Sequence, residues 1–181
     1  VFTTTIVTGR SVGIGAYLAR LGGRVIQVES SPMILTGYQA LNKLLGREVY
    51  SSNLQLGGPQ IMYRNGVAHV AVPSDADALC EFLTLFSYVP ATAGAPLPVL
   101  PPSDPVDRDV AFEPVVGMQY DPRHLICGMT DADGTYHPGL FDRGSFHETL
   151  AGWATSVVVG RARLGGIPFG VIAVETRTFE R

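Results

Sequence analysis

Two β-prone runs, residues 3–8 (TTTIVT) and 24–29 (RVIQVE), flank a glycine-punctuated turn, Gly9-Arg10-Ser11-Val12-Gly13-Ile14-Gly15. Between that turn and the second run there is room only for a short helix, residues 16–21, closed by Gly22-Gly23. A strand, a tight turn, a short helix and a strand in this order argue for an α/β fold. The turn presents backbone N–H groups at a strand-to-helix junction, where negative charge is favoured. Gly13 and Gly15 lack a Cβ, so a ligand can approach the main chain closely there. Two such N–H groups make an oxyanion hole. A plain tight turn would use the same residues.

Residues 8–15 (TGRSVGIG) also fit the TGxxxGxG pattern of dinucleotide-binding dehydrogenases, and Glu29 stands where a ribose-binding acid belongs. Two features speak against that reading. Only eight residues separate Gly15 from Arg24, whereas a parallel crossover takes about a dozen in its connection. The helix available, residues 16–21, is roughly 9 Å long. Those dehydrogenases also pair a Tyr with a Lys four positions on. Lys43, the one lysine, has Gln39 at that spacing.

Further along, residues 38–45 (YQALNKLL) have helical spacing and stop at Gly46. Residues 56–59 (LGGP) are a breaker cluster, and 67–72 (VAHVAV) read as a strand. Ser74 and Asp77 open a helix to about residue 88, with Leu79, Phe82, Leu83 and Phe86 at helical period. Most of the 13 prolines fall between 90 and 122, a loop-rich connector. Residues 145–153 can form a helix. Residues 156–163 and 169–175, joined by 164–168 (LGGIP), read as a β-hairpin. Its strands are expected to leave open edges, with Val157, Val159, Phe169, Val171 and Ile172 partly exposed.

Charged residues make up only 16% of the chain, which suggests that much of its surface faces other protein. The formal net charge of −3 offers no basic field for nucleic acid. No apolar run is long enough for a membrane span. Cys80 and Cys127 stand alone, without metal-site spacing, and read as buried thiols in a reducing compartment. The first residue is not Met, and residues 1–8 carry no signal-peptide pattern, so the chain is read as an internal segment.

Three long blocks carry a resemblance: TGRSVGIGAYLARLGGRVIQ, LTGYQALNKLLGREVYSSNLQLGGPQIMYRNGVAH and WATSVVVGRARLGGIPFGVIAVETRT. In order and over nearly the whole chain, they resemble the carboxyltransferase domain of eukaryotic-type multidomain acetyl-CoA carboxylases. The similarity is weakest between residues 90 and 137. It implies a crotonase-like ββα superhelix of two lobes, both incomplete here. Residues 1–103 would be the second half of the N lobe, and 104–181 the connector and the start of the C lobe. The implied reaction moves a carboxyl group from carboxybiotin, carried on another domain, to acetyl-CoA, giving malonyl-CoA. Implied partners are the biotin carrier and biotin carboxylase domains of the same polypeptide and a second copy of the domain as a homodimer. No metal, nucleic acid or membrane span is implied, and the expected location is the cytoplasm, with the plastid as alternative.

Residue roles follow from the same resemblance. Gly13, Ile14 and Gly15 would give the oxyanion-holding backbone N–H groups. Arg10 would lie near the CoA substrate and the transferred carboxylate. Tyr17 and Leu35 would wall the pocket, and Gly57-Gly58 would form a second glycine element beside it. Carboxyl transfer passes through an enolate, whose negative oxygen backbone donors can stabilise. The carrier itself can take the proton, so no side-chain base is required. A hydratase of the same fold would need carboxylates to position water, and only Glu29 and Glu48 are near the turn. An interaction lobe without chemistry is the third reading.

The remaining candidates are read as structural. His69 is expected to be a hydrogen-bonded core histidine and Trp153 a core anchor. His124, His137 and His147 carry no ligand spacing. Arg161 and Arg163 share one strand face, either solvated or paired with acids across an interface.

Overall fold

The computed structural model describes residues 3–177 and divides into two compact units, 1–86 and 87–181. In the first unit, β1 (Thr4–Val7), β3 (Arg24–Val28) and β5 (Val70–Val72) form a parallel sheet with β3 in the centre. Thr4 is opposite Arg24, and Ile26 is opposite Val70. A smaller parallel pair joins β2 (Ser11–Val12) to β4 (Met33–Ile34). The helices are α1 (Ile14–Arg20), α2 (Tyr38–Leu45), α3 (Leu54–Gly57), α4 (Pro59–Met62) and α5 (Asp75–Phe86).

Both faces of the sheet are covered, as parallel strands require. Val7 and Val25 pack with Ala16 and Ala19 of α1, Met33 and Ala68. Ile26, Val28 and Val72 pack with Ala78 and Leu85 of α5. The parallel β1–β3 pairing overturns the spacing argument made above. The relevant connection is residues 8–23, counted strand to strand, and it includes a seven-residue helix. That length meets the crossover requirement. The missing Tyr–Lys pair still stands against the dehydrogenase reading.

Helix α5 opens where Ser74 and Asp77 placed it. The Ser74 hydroxyl accepts the Asp77 N–H at 3.2 Å and donates to the Asp77 carboxylate at 2.6 Å. The helix buries Ala78 and Leu85, while Leu79, Leu83 and Phe86 are exposed. Residues 67–69 lie outside β5, and the breaker cluster at 56–59 is absorbed into α3 and α4. Cys80 is exposed and Cys127 half-buried, contrary to the expectation of two buried thiols.

The second unit holds α6 (Pro122–Cys127), a two-stranded ladder of β6 (Met129–Thr130) and β7 (Tyr136–His137), and an antiparallel sheet of order β10-β9-β8. These last strands are β8 (His147–Thr149), β9 (Val157–Leu164) and β10 (Ile167–Val174). The helix expected over 145–153 is instead β8. His147 to Thr149 pair with Arg161 to Val159, and Leu150 follows with φ at 62°, which no helix accommodates. Trp153 is exposed rather than a core anchor.

The hairpin forms as expected, with Ile167 opposite Leu164 and Val174 opposite Val157. Its exposure is uneven. Val171 is buried with Ile126, Val158 and Ala162, whereas Ile172 and Val174 are 81% and 71% exposed. Phe169 is also exposed, and Val157 and Val159 are half-buried.

Residues 88–121 hold no helix or strand, yet they are tied down. Arg163 is buried and donates to the carbonyls of Ser87, Pro98 and Gly166, with its guanidinium over the Tyr88 ring. It therefore serves carbonyl oxygens rather than solvent or an acid across an interface. Arg108 donates similarly to the carbonyls of Gly139, Leu140 and Phe141.

An ionic network closes the unit. Arg123 meets Asp121, Glu148 and Glu175, and Arg177 meets Asp121 and Glu175. The Arg177 hydrogen bonds, joined by the charge of Arg123, pull the Glu175 carboxyl down to about 2. A depressed carboxyl adds stability above its unfolded value near 4.5 and loses it as pH falls toward about 2. Denaturant titrations of the second unit should therefore show stability falling between those pH values. Glu175→Gln should flatten that fall, and an equally steep one in the variant would refute the assignment.

Candidate active site

The turn predicted to carry chemistry is built against β4. Ser11 N–H donates to the Pro32 carbonyl at 2.9 Å, and Gly13 N–H donates to the Ile34 carbonyl at 3.0 Å. Gly13 precedes α1 with φ 59° and ψ −121°, and its own carbonyl accepts the N–H groups of Ala16 and Tyr17. That leaves the first-turn N–H groups of Ile14 and Gly15, which have no hydrogen-bond acceptor among the described residues. Of the three residues expected to offer donors, Gly13 is thus committed and the other two are free.

Beside this turn lies a largely apolar pocket of about 280 Å³, lined by Ala16, Tyr17, Arg20, Met33, Ile34, Leu35, Met62, Asn65 and Val67. Tyr17 and Leu35, from separate elements, meet on its wall. Gly57 stands behind that wall. A Cβ there would overlap the Met33 carbonyl and stand 2.5 Å from Ile34 Cγ2, so only glycine permits this approach. Gly58, which precedes α4, and Arg10, which is exposed, are not on the lining. Arg10 makes no hydrogen bond or ion pair among the described residues.

Sequence reading missed Arg20, the one charged residue on the lining. The signal was available, since it lies three positions after Tyr17 and shares its helix face. No carboxylate lines the pocket, and Glu29 and Glu48 are both exposed away from it. Glu48 instead accepts from the Asn42 amide at 3.0 Å.

His69 is hydrogen-bonded, as the sequence suggested, but it is half-buried rather than part of the core. Its Nδ1 accepts the Val25 N–H at 3.0 Å, and the His69 main-chain N–H donates to the Val25 carbonyl at 2.8 Å. Burial, then the charges of Arg24 and Arg20, lower its pKa. With Nδ1 accepting a hydrogen bond, the neutral tautomer that fits carries its proton on Nε2.

The sequence model of the carboxyl transferase domain matches residues 1–180. The chain belongs to the carboxyl transferase domain family. Carboxyl transferase relatives include acetyl-CoA carboxylase of Schizosaccharomyces pombe, 59% identical over 99% of this chain. Acetyl-CoA carboxylase 1 of Oryza sativa subsp. japonica is 59% identical over 98%. The mitochondrial acetyl-CoA carboxylase of Saccharomyces cerevisiae is 56% identical over 99%. The chain spans about 8% of the length of each of these relatives. Among solved structures, a transcarboxylase 12S with methylmalonyl-coenzyme A and methylmalonic acid bound matches with a TM-score of 0.77 at 24% identity. That match covers 95% of this chain and 32% of the other, and it establishes the crotonase-like carboxyl transferase fold. No helix among the described residues is long and apolar enough to cross a membrane.

The Gly57 contact gives a direct test of the wall. Gly57→Ala should destabilise the first unit by about 1–3 kcal/mol through overpacking, measured by urea unfolding. A neutral substitution would show that β4 is not seated as described.

Proposed function

We propose that this chain forms part of the carboxyltransferase site of an acetyl-CoA carboxylase, acting on acetyl-CoA to give malonyl-CoA. The observation that carries the reading is the pair of unbonded N–H groups at Ile14 and Gly15. They stand beside an apolar pocket, in a chain 56–60% identical to acetyl-CoA carboxylases. The thioester oxygen of the substrate becomes negative as the enolate forms, and in this reading it is held by those two donors, which are not on the lining themselves but precede Ala16 and Tyr17, which are. One such preorganised donor is worth about 3–4 kcal/mol. Tyr17 and Leu35 exclude water from the reacting end of the acyl-CoA, and Gly57-Gly58 let β4 sit close enough to do so. Arg10 neutralises the carboxylate being transferred. Carboxybiotin, borne on another domain, supplies that carboxyl group. The lack of a carboxylate on the lining disfavours a water-adding hydratase.

In this reading residues 1–103 belong to the N lobe and 104–181 to the connector and the C lobe. The biotin carrier and biotin carboxylase domains lie on the same polypeptide, and the domain works as a homodimer in the cytoplasm or the plastid. The 181-residue chain alone is inactive.

Arg10→Ala in a full-length carboxylase should weaken malonyl-CoA decarboxylation by about 2–5 kcal/mol in kcat/KM. Its melting temperature should not change, because Arg10 is exposed and unbonded. Wild-type kinetics in the variant would refute the role.

A further inference from the structure

Gln27 sits in the middle of β3, between Val7 of β1 and Ala71 of β5, and is fully buried. Both hydrogens of its amide are used. Nε2 donates to the Ser31 carbonyl and to the Gly57 carbonyl, each at 2.8 Å. Two carbonyl acceptors also decide which end of the amide carries the nitrogen. The other end is orphaned, because Gln27 Oε1 is buried without a partner. A buried amide with one unpaired end is a poor choice for stability alone compared with an apolar side chain of the same size. What it adds lies in the two carbonyls it joins.

Those carbonyls bracket β4. Ser31 precedes Pro32, whose carbonyl receives Ser11 N–H, and β4 follows at once. Gly57 presses on Met33 and Ile34 from behind. The strand so held supplies the Ile34 carbonyl that fixes Gly13, and it leads into Leu35 on the pocket wall.

We propose that Gln27 is a positioning residue for carboxyl transfer: one buried amide ties the Ser31 and Gly57 carbonyls together and so sets the distance between the free N–H groups of α1 and the pocket. This rests on the reading of the Ile14 and Gly15 N–H groups as oxyanion donors. Gln27 touches no substrate, so its loss misaligns donors without removing any.

The test uses a full-length carboxylase carrying this sequence and two ligands measured by calorimetry. One is acetyl-CoA. The other is a CoA thioether ending in a carboxylate, whose anionic oxygen stands in for the enolate oxygen. The ratio of the two affinities does not depend on the folded fraction, so a merely structural role would leave it unmoved. Wild type should favour the carboxylate thioether, and Gln27→Leu should lose about tenfold of that preference, less than outright removal of a donor costs.

Gln27→Glu supplies a second arm if the leucine variant does not fold. Its neutral acid keeps one donor, whereas its ionised form turns a negative charge toward two carbonyl oxygens. Burial raises such a carboxyl. Preference should therefore be near wild type at low pH and fall as pH rises through that pKa, while wild type stays flat. A preference that survives in Gln27→Leu, or a flat profile in Gln27→Glu, overturns the Gln27 assignment alone. A wild-type enzyme with no preference for the carboxylate thioether overturns both this inference and the oxyanion reading.

Discussion

Met33 and Ile34 are held from three directions at once. Ser11 and Val12 pair with them along one edge. Gly57 fills the space behind them so closely that no side chain fits, and the Gln27 amide links the Ser31 carbonyl just before them to the Gly57 carbonyl. The turn before α1 and one side of the pocket both rest on this two-residue strand. The Ile34 carbonyl takes the Gly13 N–H, which leaves the next two N–H groups without partners at the start of α1. Met33, Ile34 and Leu35 form one side of the pocket, and Ala16 and Tyr17 contribute from α1. Such an arrangement is stiff because interiors this dense cannot shift one element without shifting its neighbours.

The second unit solves a different problem with a related device. Its long irregular segment carries many carbonyl groups that no ladder satisfies. Two arginines tie it down: Arg163 gathers the carbonyls of Ser87, Pro98 and Gly166, and Arg108, itself in the segment, donates to the carbonyls of residues 139–141. The planar guanidinium offers up to five donors in a fixed fork, which a lysine does not. Asp142 does the converse at the hairpin, its buried carboxylate accepting the N–H groups of Gly165 and Gly166 at 2.9 and 2.7 Å. Charged side chains here substitute for secondary structure.

Local chemistry was the legible part of the sequence. The Ser74–Asp77 start of α5, the stop of α2 at Gly46 and the existence of the hairpin could be read because each is set within a few residues; its turn is two residues rather than five, which shifts the register by one from the sequence reading. Tyr17 and Leu35 were placed on one wall by resemblance, and the structure brings them together. Tertiary pairing defeated the rest. Residues 147–149 become a strand because β9 offers them a partner, whatever their own preference. The role of Gln27 had no local signal at all, since its two acceptors lie four and 30 residues away. Arg163 looked like an exterior charge because alternation along a strand does not say which face is covered. The short crossover was misjudged by counting from the last glycine instead of from the end of β1.

Strand β10 pairs with β9 on one side, and its other edge has no strand partner among the described residues. It also displays Ile172 and Val174 almost fully to solvent. A flat apolar edge with open N–H and C=O groups is a template for any extended chain nearby. In a longer polypeptide that open edge is where a further strand would add to the sheet, and Ile172 and Val174 are the side chains such an addition would cover.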